Sequence, residues 1–171
     1  MVYITGDKHG DYDQKFEFCY KNNTSKNDIM IILGDAGINY YLDSKDYTLK
    51  NYLKELPITL FCIHGNHEER PYNIAGYKSK IFNNGIVYYE EKYPNILFAK
   101  DGEVYNFNGV STLVIGGAYS VDKYYRLALG YNWYESEQPN EKIKNDVRKT
   151  LKNYNNKMDV ILSHTCPFKY M

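Results

Sequence analysis

The sequence predicts an α/β fold: a parallel sheet first, antiparallel strands after it. Three observations carry this. Short β-branched runs alternate with helical patterns through the first 65 residues. Each of those runs stops at Gly or Gly-Asp. Beyond residue 95 the chain breaks into short apolar stretches separated by turn signals.

Taken in order, residues 2–6 are a short apolar run that Gly6-Asp7 stops, which reads as a strand. Residues 13–22 space Phe16, Cys19 and Tyr20 three and four apart, as a helix does. Residues 28–33 form a continuous β-branched run ending at Gly34-Asp35, the pattern of a strand buried on both faces. Residues 44–56 repeat apolar positions at Tyr47, Leu49, Tyr52, Leu53 and Leu56, a second helix that Pro57 ends. Residues 58–63 supply the third strand. Sites in sheets of this β-α-β-α-β kind form beyond the carboxyl ends of the strands.

Residues 70–95 read as polar and irregular, with Gly76, Gly85 and Pro94. Strands follow at 95–100, 102–106 and 111–116, with Lys100-Asp101-Gly102-Glu103 and Asn106-Phe107-Asn108-Gly109 as hairpin turns. These suggest a second sheet. Residues 120–137 are aromatic and polar, a loop or short helix over the site. Residues 139–153 are helical through Ile143, Val147 and Leu151, and Val160-Ile161-Leu162 is a last strand ending at Ser163-His164. No repeat or low-complexity linker interrupts the chain.

A length of 171 residues fits one domain, residues 1–171, with a core that needs no disulfide. Charges balance at 21 against 21, which gives no strong field for nucleic acid or an anionic membrane. The three cysteines, Cys19, Cys62 and Cys166, form no C-x-x-C pair and fit a reducing compartment. The N-terminus lacks the basic and apolar regions of a signal peptide, and no run reaches the length of a membrane span. A cytoplasmic protein with no membrane partner is expected. Richness in Asn, Lys, Ile and Tyr, with 20 tyrosines, reads as genome composition.

Four strand ends carry metal-type ligands: Asp7 with His9, Asp35, Asn66 with His67, and His164. On a strand, residues i and i+2 share a side, so Asp7 and His9 could hold one ion. Each motif alone is weak. Asp7 and Asp35 could be helix N-caps, His67 a surface residue and His164 a turn residue. Their recurrence at successive strand ends, with Gly65-Asn66-His67-Glu68 among them, gives the signal its weight. His64 reads as structural. Glu68 could hydrogen-bond a ligand or face solvent, and Lys8 and Arg70 could touch a substrate phosphate, Arg70 as the candidate substrate contact, or be solvated side chains. The run Asp122-Lys123-Tyr124-Tyr125-Arg126 could line a pocket or form an ordinary surface loop. Cys62 reads as core. Cys166 reads as a thiol beside a metal or as part of a turn with Thr165 and Pro167. No G-x-S-x-G or Walker-type loop is present.

In this order the motifs GDKHG (6–10), GDAG (34–37), GNHE (65–68) and SH (163–164) resemble the calcineurin-like metallophosphoesterase superfamily. They lean towards its serine/threonine phosphatase and dinucleoside polyphosphate hydrolase branch. The resemblance implies a two-sheet αββα sandwich and a dinuclear metal centre that hydrolyses phosphate mono- or diesters. It implies Asp7, His9 and Asp35 as ligands of one ion, and Asp35, Asn66 and His164 as ligands of the other, with Asp35 bridging. His67 is implied as the catalytic, non-ligand histidine near the scissile phosphate. Two divalent ions can clamp a phosphate and lower the pKa of a water between them. Four positive charges against Asp7, Asp35 and one hydroxide leave the site near +1, which favours an anionic ester. Mixed N/O donors suit Mn first, with Fe or Zn as alternatives. The substrate expected is a phosphorylated small molecule or a phosphoprotein. An inactive binding or scaffold protein on the same fold, and a nuclease or cyclic-nucleotide phosphodiesterase, are the competing readings; nucleic acid is not excluded.

Two departures matter. The protein-phosphatase branch continues its second motif with Val-Asp-Arg-Gly, where this chain has Gly37-Ile38-Asn39-Tyr40. The acid that would orient His67 is thus Ile38, and the phosphate-binding arginine is Asn39. The superfamily's G-H-x-H motif does not follow His164. The chain is therefore expected to lack the C-terminal portion of the domain, with an unpaired edge at its last strand, weak metal binding and slow turnover.

Overall fold

In the computed structural model, residues 1–166 are described, and two sheets and several helices form a mixed α/β fold. The first three strands are β1 (Val2–Thr5), β2 (Ile29–Ile32) and β3 (Thr59–Cys62), joined by α1 (Asp13–Lys21) and α2 (Ser44–Lys54). Parallel pairing sets Val2 opposite Ile29 and Ile29 opposite Thr59. β2 and β3 are buried at every position, as their uninterrupted apolar runs require.

Residues 70–95 depart from the irregular reading. They hold a 3-10 turn (Pro71–Asn73) and a hairpin of β4 (Lys78–Phe82) and β5 (Gly85–Tyr89). Asn83 and Asn84 both take positive φ, 48° and 74°, as a two-residue hairpin loop demands. The hairpin joins the first sheet beside β6 (Ile96–Ala99), giving the order β1-β2-β3-β6-β5-β4. Its β4 is an edge strand with exposed and half-buried side chains, which is why no strong apolar pattern marks it.

β6 runs parallel to β3. Lys100-Asp101-Gly102-Glu103 is no hairpin turn, because the strands on its two sides lie in different sheets. It passes the chain from the first sheet to the second, which contains β7 (Val104–Phe107), β8 (Val110–Ile115) and β9 (Val160–Ser163) in that order. β7 and β8 are the expected hairpin around Asn108-Gly109. Among the described residues β9 pairs with β8 alone, in parallel, and exposes Val160 and Ile161.

The two sheets pack face to face through Ile31, Phe61, Ile63 and Leu97 on one side and Tyr105, Phe107, Val114 and Leu162 on the other. The opposite face of the first sheet, with Met30, Ile32, Leu60 and Cys62, is covered by Cys19, Leu53 and Leu56 from the helical side. Cys62 is core, as expected. Between β8 and β9 the chain forms α3 (Lys123–Ala128), a 3-10 turn (Glu135–Glu137) and α4 (Glu141–Asn153). Asn140 caps α4 by accepting from the Ile143 amide at 3.0 Å. Among the described residues no helix is long and apolar enough to cross a membrane.

Candidate metal centre

The loops after β1, β2 and β3 meet at one rim, tied by backbone. The amides of Lys8 and His9 both donate to the Asp35 carbonyl, at 3.0 and 2.8 Å. The His67 amide donates to Asp35 Oδ1 at 2.9 Å. His9 and Asp35 each sit at φ 46°, a sparsely populated left-handed conformation that concentrates at functional sites. Two glycines let the loops approach. A Cβ on Gly34 would overlap the His164 ring, and one on Gly65 would overlap the Asp35 carboxylate and amide.

Asp7 and His9 therefore come together through a turn rather than a strand pleat, since β1 ends at Thr5. Neither Asp7 nor Asp35 is a helix cap: α1 has Tyr12 at its N-cap and α2 has Asp43.

Donor atoms of Asp7, His9 and Asp35 all lie within 4.8 Å of one another. His9 Nε2 is 4.0 Å from Asp7 Oδ2 and 3.7 Å from Asp35 Oδ2. His164, just past β9, closes the far side: Nδ1 is 3.7 Å from Asp7 Oδ1, and Nε2 is 3.7 Å from Asp35 Oδ1. The two Asp35 oxygens thus face different histidines, which is the disposition a carboxylate between two ions needs. Asp35 is buried, while the side chains of Asp7 and His9 are about half exposed, so the rim opens to solvent on their side.

The donor chemistry fits cations. His164 Nδ1 is 2.7 Å from the Leu33 carbonyl, an acceptor, so Nδ1 carries the proton. In a neutral imidazole Nε2 then presents a lone pair. At 2.8 Å from it stands Asn66 Oδ1, a second acceptor. The amide cannot relieve this by flipping, because its Nδ2 donates to Ser120 Oγ at 3.1 Å. Two acceptors in contact need a positive species between them, an ion or a second ring proton. Two ligands of one ion with bonds of about 2.1 Å stand roughly 3.0–3.5 Å apart. The separations at this rim, 2.8 to 4.0 Å, bracket that range.

His67 stands beside this cluster. Its ring meets His9 edge-on, with centroids 5.4 Å apart, and lies 6.3 Å from the Tyr40 ring. A cavity of about 220 Å³, lined by His9, Gly37, Tyr40, Tyr41 and His67, opens here. His67 Nε2 is 3.8 Å from Asp122 Oδ2.

Other residues are placed as follows. Glu68 is neither solvated nor at a ligand. It is fully buried and accepts from the Gly65 amide at 2.6 Å, closing the turn that presents Asn66; burial pushes its carboxyl up. His64 is structural, and burial pushes its imidazole down, which keeps it neutral. Arg70 differs from expectation. It is 3% exposed, paired with Asp101, and donates from Nε to the Ser136 carbonyl at 2.8 Å. Its Nη1 and Nε are taken by these partners inside the protein, and Arg70 is not among the residues lining the cavity at His67, which speaks against a substrate contact. Ile38 and Asn39 are both fully buried, and Asn39 Oδ1 accepts from Tyr77 Oη at 2.9 Å. The position of the phosphatase-type arginine is thus occupied by a structural amide. Ser163 Oγ bonds the Thr165 carbonyl, so Cys166 follows a turn; Pro167 lies outside the described residues.

Sequence reasoning missed a buried group over the rim: Ser120, Arg126 and Glu137, all under 5% exposed, with Asp122 beside them. Asp122 and Arg126 stood in a run already singled out. Nothing marked Ser120 or Glu137, which act through long-range partners.

A mixed α/β domain of two sheets, with carboxylates, imidazoles and an amide gathered past its strand ends, defines a metallophosphatase-like class. The model of the calcineurin-like phosphoesterase family matches residues 1–169, and the chain belongs to that family. Comparison with curated proteins and with solved structures gave no match. The family generally uses divalent metals, and Asp7, His9 and Asp35 form a group that could hold one.

Proposed function

We propose that this chain is a phosphoesterase working on a phosphorylated small molecule or phosphoprotein through two divalent ions, Mn before Fe or Zn. Asp7, His9 and Asp35 would hold one ion; Asp35, Asn66 and His164 would hold the other. When bound, the ions supply Lewis acidity towards the phosphate and an activated water. The observation that carries this reading is the contact of Asn66 Oδ1 with His164 Nε2, two acceptors at 2.8 Å beside a carboxylate whose oxygens face two imidazoles.

The remaining work falls to the chain itself. The Leu33 carbonyl fixes the His164 tautomer and so aims Nε2 into the rim. The His67 amide holds Asp35 Oδ1, which keeps that carboxylate turned between the two donor sets. The His67 side chain, outside both sets and on the cavity wall, donates the proton that the leaving oxygen needs.

The test is hydrolysis of p-nitrophenyl phosphate by the chain with Mn²⁺. Slow, chelator-sensitive turnover is expected, because the described residues would offer each ion three protein ligands. Metal binding without any hydrolysis, of this ester or of bis-p-nitrophenyl phosphate, would favour a binding protein instead.

A further inference from the structure

We propose that the buried Arg126–Glu137 ion pair is a positioning unit for the metal rim, setting Asn66 through Ser120 and His67 through Asp122. The inference rests on the phosphoesterase reading and adds residues to it.

The pair is a two-pronged fork: Arg126 Nη1 donates to Glu137 Oε1 at 3.0 Å, and Nη2 donates to Oε2 at 2.7 Å. Both side chains are at most 3% exposed. Taking two charges out of water costs more than their attraction commonly returns, so such a pair is weak evidence for stability alone. Its neighbours suggest what it does instead.

One arm leads to Asn66. Glu137 Oε2 accepts from Ser120 Oγ at 2.5 Å, and Ser120 Oγ accepts from Asn66 Nδ2 at 3.1 Å. Arg126 Nη2 also donates to the Asn66 carbonyl, at 3.3 Å. Because Glu137 takes the only hydroxyl proton, Ser120 must receive the amide N–H. Asn66 therefore turns its oxygen, not its nitrogen, towards His164. A carboxylate 17 residues past Ser120 in sequence decides which atom of Asn66 faces the rim.

The other arm leads to His67. Arg126 Nε lies 3.2 Å from Asp122 Oδ1, which leaves Oδ2 facing His67 Nε2 at 3.8 Å. That is longer than a hydrogen bond, as catalytic contacts often are before substrate binds. With Nε2 turned towards Asp122, the other ring nitrogen is the one left to reach a leaving oxygen. Asp122 enters from the segment between β8 and β9, while the acid position of the phosphatase branch, Ile38, is buried and apolar.

Two variants separate the arms. Ser120→Ala should weaken Mn²⁺ binding about 10- to 100-fold by equilibrium dialysis, the usual cost of losing a partner behind a metal ligand. Its hydrolysis should recover at saturating metal. Asp122→Asn should keep the wild-type Mn²⁺ affinity and move the His67 ring resonances in the metal-free protein. Its kcat on phenyl phosphate, which has a poor leaving group, should fall about 10-fold further than on p-nitrophenyl phosphate. The inference is overturned if both variants lower metal affinity and both rates alike, or if neither changes anything. If wild type hydrolyses neither ester, the phosphoesterase reading fails. The dialysis result for Ser120→Ala still decides the Asn66 arm.

Discussion

The metal rim and the segment that covers it are held by different forces. At the rim, the loops after β1, β2 and β3 are strapped through backbone amides onto Asp35, with glycines cut to fit. Over it, residues 118–138 are held by charged side chains: Arg126, paired with Glu137, donates to the Asn66 carbonyl, and Arg70, paired with Asp101, donates from Nε to the Ser136 carbonyl. A backbone-built rim should survive the loss of one side chain and lose only its ligand. A charge-anchored cover should lose stability when one partner goes.

The largest effect expected is at the rim. Asp35→Asn keeps an acceptor for the His67 amide, so the chain should still fold. It removes the carboxylate shared by both donor sets, so paired metal binding and hydrolysis should be abolished. His67→Ala should retain its metals and lose about 10²- to 10⁴-fold in rate, the usual range for a proton donor. Equal metal content in wild type and the Asp35 variant would remove the bridging role.

The cover should respond in the opposite way. Arg70→Met leaves a buried Asp101 carboxylate without its cation, which typically costs about 3–5 kcal/mol, read by denaturant unfolding. KM for p-nitrophenyl phosphate should stay near wild type, because the guanidinium is buried against Asp101 and the Ser136 carbonyl and does not line the cavity at His67. A raised KM with unchanged stability would restore Arg70 to the substrate.

This contrast also explains what the amino-acid sequence conveys. Asp7, His9, Asp35, Asn66 and His164 each follow a short apolar run that reads as a strand, so strand ends and ligands are legible together, although only β2 and β3 are buried at every position. The β4–β5 hairpin is not legible in this way, because an edge strand mixes exposed and half-buried residues. The crossing at Asp101-Gly102 looked like a hairpin because a turn between sheets uses the same residues as a turn within one. Arg70 looked like a phosphate contact because a sequence does not show that Asp101, 31 residues on, claims it. Ser120 and Glu137 left no motif, since their effect on Asn66 depends on partners that only folding assembles.

The central claim is that the strand-end donors hold two cations. It is tested most directly by anomalous diffraction at the Mn edge, from crystals grown with Mn²⁺ and phosphate. The account predicts two peaks about 3.5–4 Å apart, one among Asp7, His9 and Asp35 and the other among Asp35, Asn66 and His164. A rim without Mn peaks, with Asn66 and His164 still in direct contact at saturating metal, would contradict it.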